Sequence, residues 1–175
     1  MKAFSNLLEQ LYYTSGNKAK AQLIADYIAN TPDPDRGWAI AAMAGTLRFD
    51  FFKRNTVKKL ITEHTDSALF AMSYDYVGEV SETVAHLWTE LAPELTPDQA
   101  LPSLSEVVDT FANVSKQKVA STLANYLTIM TPSQRWALLK LGTRGLRIGV
   151  STRSIEQILA EYGNQDITEI EKLWH

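Results

Sequence analysis

Three short segments place glycine or small polar residues beside basic side chains, just ahead of helical hydrophobic periodicity. They are Thr14-Ser15-Gly16-Asn17-Lys18, Asn113-Val114-Ser115-Lys116-Gln117-Lys118 and Thr143-Arg144-Gly145-Leu146-Arg147-Ile148-Gly149. A helix start presents unpaired backbone N–H groups at the positive end of its dipole, and glycine lets a phosphate approach closely. The neighbouring Lys and Arg supply compensating charge, so phosphate binding is the chemistry these loops point to. Each loop alone also reads as an ordinary helix start, with Ser15 or Ser115 as N-cap and the basic side chains solvated. The recurrence of the pattern is what favours an anion.

Other chemistries lack their residues. His64, His86 and His175 fall on separate elements, with no HExxH or carboxylate cluster, so no metal site is expected. The chain has no GxSxG, GxxxxGK[ST] or GxGxxG pattern. It has no cysteine, which removes disulfides, thiol nucleophiles and thiolate metal sites.

The net charge of −3 conceals a segregation. Residues 71–110 carry Asp75, Glu79, Glu82, Glu90, Glu94, Asp98, Glu106 and Asp109 with no Lys or Arg; residues 111–150 carry Lys116, Lys118, Arg135, Lys140, Arg144 and Arg147 with no acid. A locally positive field attracts an anion even when the total charge is negative. The acidic block reads as a solvated helical face, because Val80, Val84, Leu87 and Trp88 keep a core-facing spacing through it. The aromatics Tyr12, Tyr13, Tyr27, Trp38, Tyr74, Tyr76, Trp88 and Trp136 fall mostly on helical stripes, and read as core rather than base-stacking platforms. The run Tyr74–Glu79 reads as a helix break stabilised by a buried tyrosine.

The elements that position the loops are helices. Phe4, Leu7, Leu8 and Leu11 form one stripe, Leu23, Ile24, Tyr27 and Ile28 a second, and Val57, Leu60 and Ile61 a third. Val119, Leu123, Tyr126, Leu127 and Met130 form a fourth. Asp33-Pro34, Thr96-Pro97 and Thr131-Pro132 each set a capping oxygen before a proline at the first helical position. Thr96 with Gln99 and Ser103 with Glu106 have capping-box spacing, and Gly163 marks a helix end. Within Gly142–Ser151 three glycines disfavour a helix. Leu146, Ile148 and Val150 alternate with Arg147 and Gly149, as in a short extended segment anchored on one face, after which Ser151 or Thr152 caps the next helix. The chain of 175 residues, 45% of them hydrophobic, is expected to be one all-α, compact multi-helix domain of about nine or ten helices, arranged as an irregular stack of helical hairpins.

With these segments in view, the sequence resembles the N-terminal DNA-binding domain of ATP-dependent DNA ligases, in particular the bacterial type. The resemblance runs over essentially the whole chain. It is carried by Tyr13-Thr-Ser-Gly-Asn-Lys18, Pro32-Asp-Pro-Asp-Arg-Gly-Trp-Ala39, Ser73-Tyr-Asp-Tyr-Val-Gly-Glu79 and most specifically Leu138-Leu-Lys-Leu-Gly-Thr-Arg-Gly-Leu-Arg-Ile-Gly-Val-Ser151. It implies an all-helical module that grips the minor-groove side of a nicked duplex, mainly through phosphates, and helps catalytic domains close around the DNA. It further implies that Arg144, Gly145, Arg147, Gly149 and Ser151 meet backbone phosphates. Ser115, Lys116 and Lys118, and Ser15, Gly16, Asn17 and Lys18, support them from neighbouring helix ends. Thr143 and Thr152 complete the expected set at the ends of the glycine loop.

The departure from the family pattern matters equally. No lysine begins the Lys-x-Asp-Gly motif that accepts AMP in a ligase. The chain is therefore expected to be non-catalytic and to hold no cofactor, with ATP and Mg implied only for separate catalytic domains. Residues 1–175 are expected to be one DNA-binding domain, with 165–175 opening a linker toward such a domain, unless the protein is a natural stand-alone. The implied setting is replication, repair and recombination, in a monomer associated with the cytoplasmic nucleoid and not with membrane. The competing expectation is a helical scaffold that binds a basic protein through the acidic 71–110 face. A helical-repeat DNA glycosylase is a more remote alternative.

Overall fold

A computed structural model describes residues 1–46, 49–91 and 100–174. Among the described residues there are eleven α-helices and no named strand, slightly more helices than the nine or ten expected. They are α1 (Lys2–Tyr13), α2 (Asn17–Asn30), α3 (Asp35–Ala44), α4 (Arg54–His64), α5 (Ser67–Val77), α6 (Val80–Leu91), α7 (Leu104–Asn113), α8 (Val119–Ile129), α9 (Pro132–Gly142), α10 (Thr152–Gly163) and α11 (Ile167–Trp174). A single 3-10 turn, Lys116–Lys118, precedes α8. None of these helices is long and apolar enough to cross a membrane.

The stripes read from the sequence are the ones buried. Phe4, Leu8, Leu11, Ile24, Ile28, Ile61, Leu123, Leu127 and Ile155 are essentially inaccessible and join one core cluster with Leu138 and Leu139. Sequence neighbours pack on one another, as α1 with α2, α5 with α6 and α10 with α11. Helix α9 crosses between α1 and α6, while α10 reaches back to α2 and α3. The glycine loop that links α9 to α10 is thereby suspended between two helical groups.

The Ser103–Glu106 capping box forms as read, and the Thr131 cap, read without a box, closes one with Gln134. Ser103 Oγ accepts from Glu106 N and Thr131 Oγ1 from Gln134 N, and each partner side chain bonds back to the cap backbone. Asp33 does not cap α3, a correction to the reading. Pro34, not Asp33, occupies the N-cap position, no side-chain cap bond forms, and Arg36 N donates instead to Pro32 O at 3.2 Å. Asp35 does the capping instead, and for another helix: its two oxygens accept from Leu104 N (3.0 Å) and Ser105 N (2.9 Å) at the start of α7. Gly163 is the last residue of α10, and Asn164 takes the left-handed position at φ 50°. The Thr96-Pro97 cap, the Thr96–Gln99 box, Glu94, Asp98 and His175 lie outside the described residues.

The Tyr74–Glu79 break is real, but no buried tyrosine stabilises it. Tyr76 is 93% exposed and Tyr74 is half-buried on Phe70. Gly78 ends α5 at φ 74°, and Glu79 then accepts from Ser81 N and Glu82 N to start α6. The expectation of core aromatics holds for Tyr27 and Trp88 and fails for Tyr12 and Tyr13 as well as Tyr76. Helical periodicity places a side chain on a face, and in the last turn of α1 Leu11 is buried while Tyr12 meets only the edge of the core, against Trp136.

Candidate nucleic-acid interface

The glycine loop is held at both ends and at its middle. At its start, Gly142 O accepts from Phe51 N (3.1 Å) and Phe52 N (3.4 Å), and Thr143 forms an isolated antiparallel bridge with Asp50. Gly142 lies directly against the Phe52 ring, leaving no room for a Cβ. Gly145 N donates to Lys140 O at 2.9 Å, curling the chain back over the end of α9. At its far end, Ser151 caps α10 by accepting from Ser154 N at 3.1 Å, and Thr152 Oγ1 donates to Ala44 O at 3.1 Å. The expected extended segment is not a strand. Ile148 is its buried anchor, Leu146 and Val150 are half-buried, and Arg147 and Gly149 face outward.

The tie at the middle of the loop joins it to the first basic segment. Lys20 Nζ, on the first turns of α2, donates to Ile148 O at 2.9 Å. Gly149, at φ 66°, passes so close that a Cβ there would lie 2.7 Å from Lys20 Nζ. Lys20 is thus spent on holding two segments together, while Asn17 and Lys18 beside it stay exposed. Asn17, Lys18, Gly149, Ser151 and Ser154 consequently line one groove of about 670 Å³. The helix starts of α2 and α10 meet there.

Neither serine reading as an ordinary cap survives. Gly16 is the N-cap of α2 and makes no side-chain bond, so Ser15 is not a cap; Ser115 precedes the 3-10 turn without a capping bond from its hydroxyl. Ser15, Gly16, Ser115, Lys116 and Lys118 are all exposed. The Lys116–Lys118 turn packs on α8, and it lines neither the α2–α10 groove nor the cleft lined by the earlier part of the glycine loop. The structure therefore brings together two of the three predicted segments and leaves the third apart.

The basic block is smaller at the surface than in the sequence. Arg135 is buried at 4% exposure, its Nε donating to Leu127 O at 2.6 Å and its Nη1 to Ala85 O at 3.3 Å, where it completes the carbonyls of α8 and α6. Burial pushes its pKa below the ordinary guanidinium value. Lys140 pairs with Glu79 at 3.1 Å in a largely covered position. Burial alone would raise the Glu79 carboxyl, but the N–H groups of Glu82 and Ser81 and the Lys140 ammonium outweigh it and hold the pKa low. Arg144 pairs with Asp50 at 2.9 Å and stays half-exposed. Arg147 is exposed and has no ion pair among the described residues.

The acidic block also divides. Asp75 and Asp109 are solvated as expected, whereas the Glu106 carboxylate closes the α7 capping box and Glu79 is a structural cap and ion-pair partner. Sequence reasoning missed Asp50, Lys20 and Glu79 as parts of the site's framework. Lys20 had a local signal, lying one residue beyond Ala19 in the basic start of α2. Asp50 and Glu79 act across 94 and 61 residues of chain, a relation no local spacing reveals.

Fold and site define an all-helical domain with a basic glycine loop clamped between α9 and α10. The family model described as DNA ligase N terminus matches residues 1–160. The chain belongs to that family, the N-terminal domain of ATP-dependent DNA ligases. No curated protein matches it.

Proposed function

We propose that this chain is a non-catalytic DNA-binding module of an ATP-dependent DNA ligase. It grips nicked double-stranded DNA on the minor-groove side through sequence-independent phosphate contacts, and supports sealing by catalytic domains that carry the ATP and Mg chemistry. The observation that carries this reading is the Lys20–Ile148 bond, which gathers Asn17, Lys18, Gly149 and Ser151 on one groove with two helix starts. Arg144, Gly145, Arg147, Thr143 and Thr152 belong to the same clamped loop. Contacts of this kind fix position on a duplex and read little sequence, as sealing breaks anywhere requires.

The test is fluorescence anisotropy of the protein with nicked and intact duplexes of two unrelated sequences, titrated with salt. Binding is expected to be salt-sensitive and indifferent to sequence. R144A/R147A should weaken it on both sequences and lower the log–log salt slope by about one for each phosphate no longer neutralised. An unchanged affinity and slope in that double variant would sink the reading.

A second reading has one observation of its own. Tyr12, Tyr13, Leu69, Met72 and Tyr76 are exposed apolar side chains on α1 and α5, along grooves whose lining includes Glu9 and Glu82 but no Lys or Arg. Contiguous apolar exposure marks protein contacts. A scaffold that captures a basic protein through this acidic side would lose its partner on charge reversal at Glu82 and would not need Arg147.

A further inference from the structure

A second cleft, of about 350 Å³, is lined by the earlier part of the glycine loop, from Thr143 to Ile148. Its lining includes Arg54, Lys140, Glu79 and Arg147, with Tyr12 and Trp136 among its apolar walls. Lys140 and Glu79 neutralise one another at 3.1 Å. Arg54, the first residue of α4, and Arg147, on the loop, are both exposed. Among the described residues neither has an ion pair or a side-chain hydrogen bond. Two arginines without an ion pair thus line one cleft whose single lining carboxylate is already taken. Two unpaired arginines lining one cleft favour an anion there, and the planar guanidinium fork matches the oxygens of a phosphate.

We infer that Arg54 and Arg147 together hold one backbone phosphate of the bound duplex in this cleft, extending the DNA track from the α2–α10 groove across the glycine loop to the start of α4. The inference rests on the DNA-binding reading above and adds a residue to it. The apolar walls distinguish the ligand. A phosphodiester arrives with deoxyribose on either side, whose carbon edges suit Tyr12 and Trp136, whereas a free phosphate keeps its hydration and gains nothing from them. Lys140 is not part of the grip, because Glu79 already occupies it.

The experiment compares wild type, R54A, R147A, R54A/R147A and R54K in anisotropy titrations with an intact duplex over a range of salt. A parallel NMR titration of the arginine Nε–Hε signals uses the duplex in one arm and inorganic phosphate in the other. R54A is expected to bind about three- to tenfold more weakly near 0.1 M salt and to lower the slope by about one, with R54K close to wild type in slope. The double variant should lose less than the product of the single losses, because both side chains serve one phosphate. The Arg54 and Arg147 signals should move together with duplex and stay still with millimolar inorganic phosphate. Unchanged binding by R54A alongside weakened R144A/R147A would overturn this inference and leave the wider reading standing. Losses that multiply would overturn the shared phosphate, and a response to inorganic phosphate but not duplex would reassign the cleft to a free anion.

Discussion

Asp50 holds Arg144 in place: a carboxylate oxygen lies 2.9 Å from a guanidinium nitrogen, and the backbones of Asp50 and Thr143 form a bridge one residue away. Arg144 itself sits in the left-handed region at φ 59°, a conformation that costs a non-glycine residue about 1–2 kcal/mol. The segment 50–52 therefore both shapes the glycine loop and occupies one of its charges.

Under the proposed DNA-binding function, this pair would compete with a phosphate for the same guanidinium. Both side chains are about half-exposed, and an exposed ion pair is worth about 0.2–1 kcal/mol. D50N, which keeps the size of the side chain, should raise duplex affinity by about two- to fivefold, with the gain shrinking at high salt. Anisotropy at two ionic strengths checks this; a loss of affinity would mean that Asp50 orients Arg144 rather than restrains it.

Gly149 is favoured by its positive φ, and a Cβ there would push aside Lys20 Nζ, the movable end of a flexible side chain. An alanine there adds about 1–2 kcal/mol of backbone strain and displaces the Lys20 ammonium from Ile148 O. The urea midpoint of G149A is expected to fall, and duplex affinity with it. K20M should reproduce the affinity loss with a smaller stability loss. If both variants bind as wild type, the joining of the two segments is irrelevant to binding.

Stability should decline in acid through two identifiable carboxylates. Burial would raise the Asp35 carboxyl, but the N–H groups of Ser105 and Leu104 and the Ser105 hydroxyl outweigh it, so its pKa lies below the ordinary value, as does that of Glu79. A depressed folded pKa means that the unfolded chain takes up protons first. The contribution is complete above the ordinary carboxylate value and disappears as pH falls through the lower, folded value. D35N/E79Q should accordingly be less stable than wild type at neutral pH and show a flatter acid limb in urea titrations. A parallel offset between the two curves at every pH would place the acid sensitivity elsewhere.

The segment at Lys116–Lys118 should matter less than the other two. It lines neither cleft beside the glycine loop. K116A/K118A is expected to reduce duplex affinity by clearly less than R144A/R147A does, measured side by side. An equal or larger loss would mean that the DNA surface bends round to α8.

The helices were legible in the sequence because periodicity and caps are local. The stripes of α1, α2, α4 and α8, the box at Ser103 and the cap at Thr131 depend on residues within a turn or two of each other. Asp35 capping α7, Asp50 holding Arg144 and Glu79 taking Lys140 depend on how distant helices dock, which no spacing records. The same limit explains Arg135. Its charge counted toward the basic block, yet the carbonyls of Leu127 and Ala85 draw it into the core. Glycine and basic residues marked this loop in the sequence, and tertiary packing decided which of its charges stay exposed.

The most direct measurement is an amide chemical-shift map of the protein titrated with a nicked duplex. The account expects the largest changes at Asn17–Lys20 and Thr143–Thr152, moving with one common affinity, since Lys20 ties these segments into a single surface. Changes concentrated on α5 and α6, with those two segments silent, would contradict it.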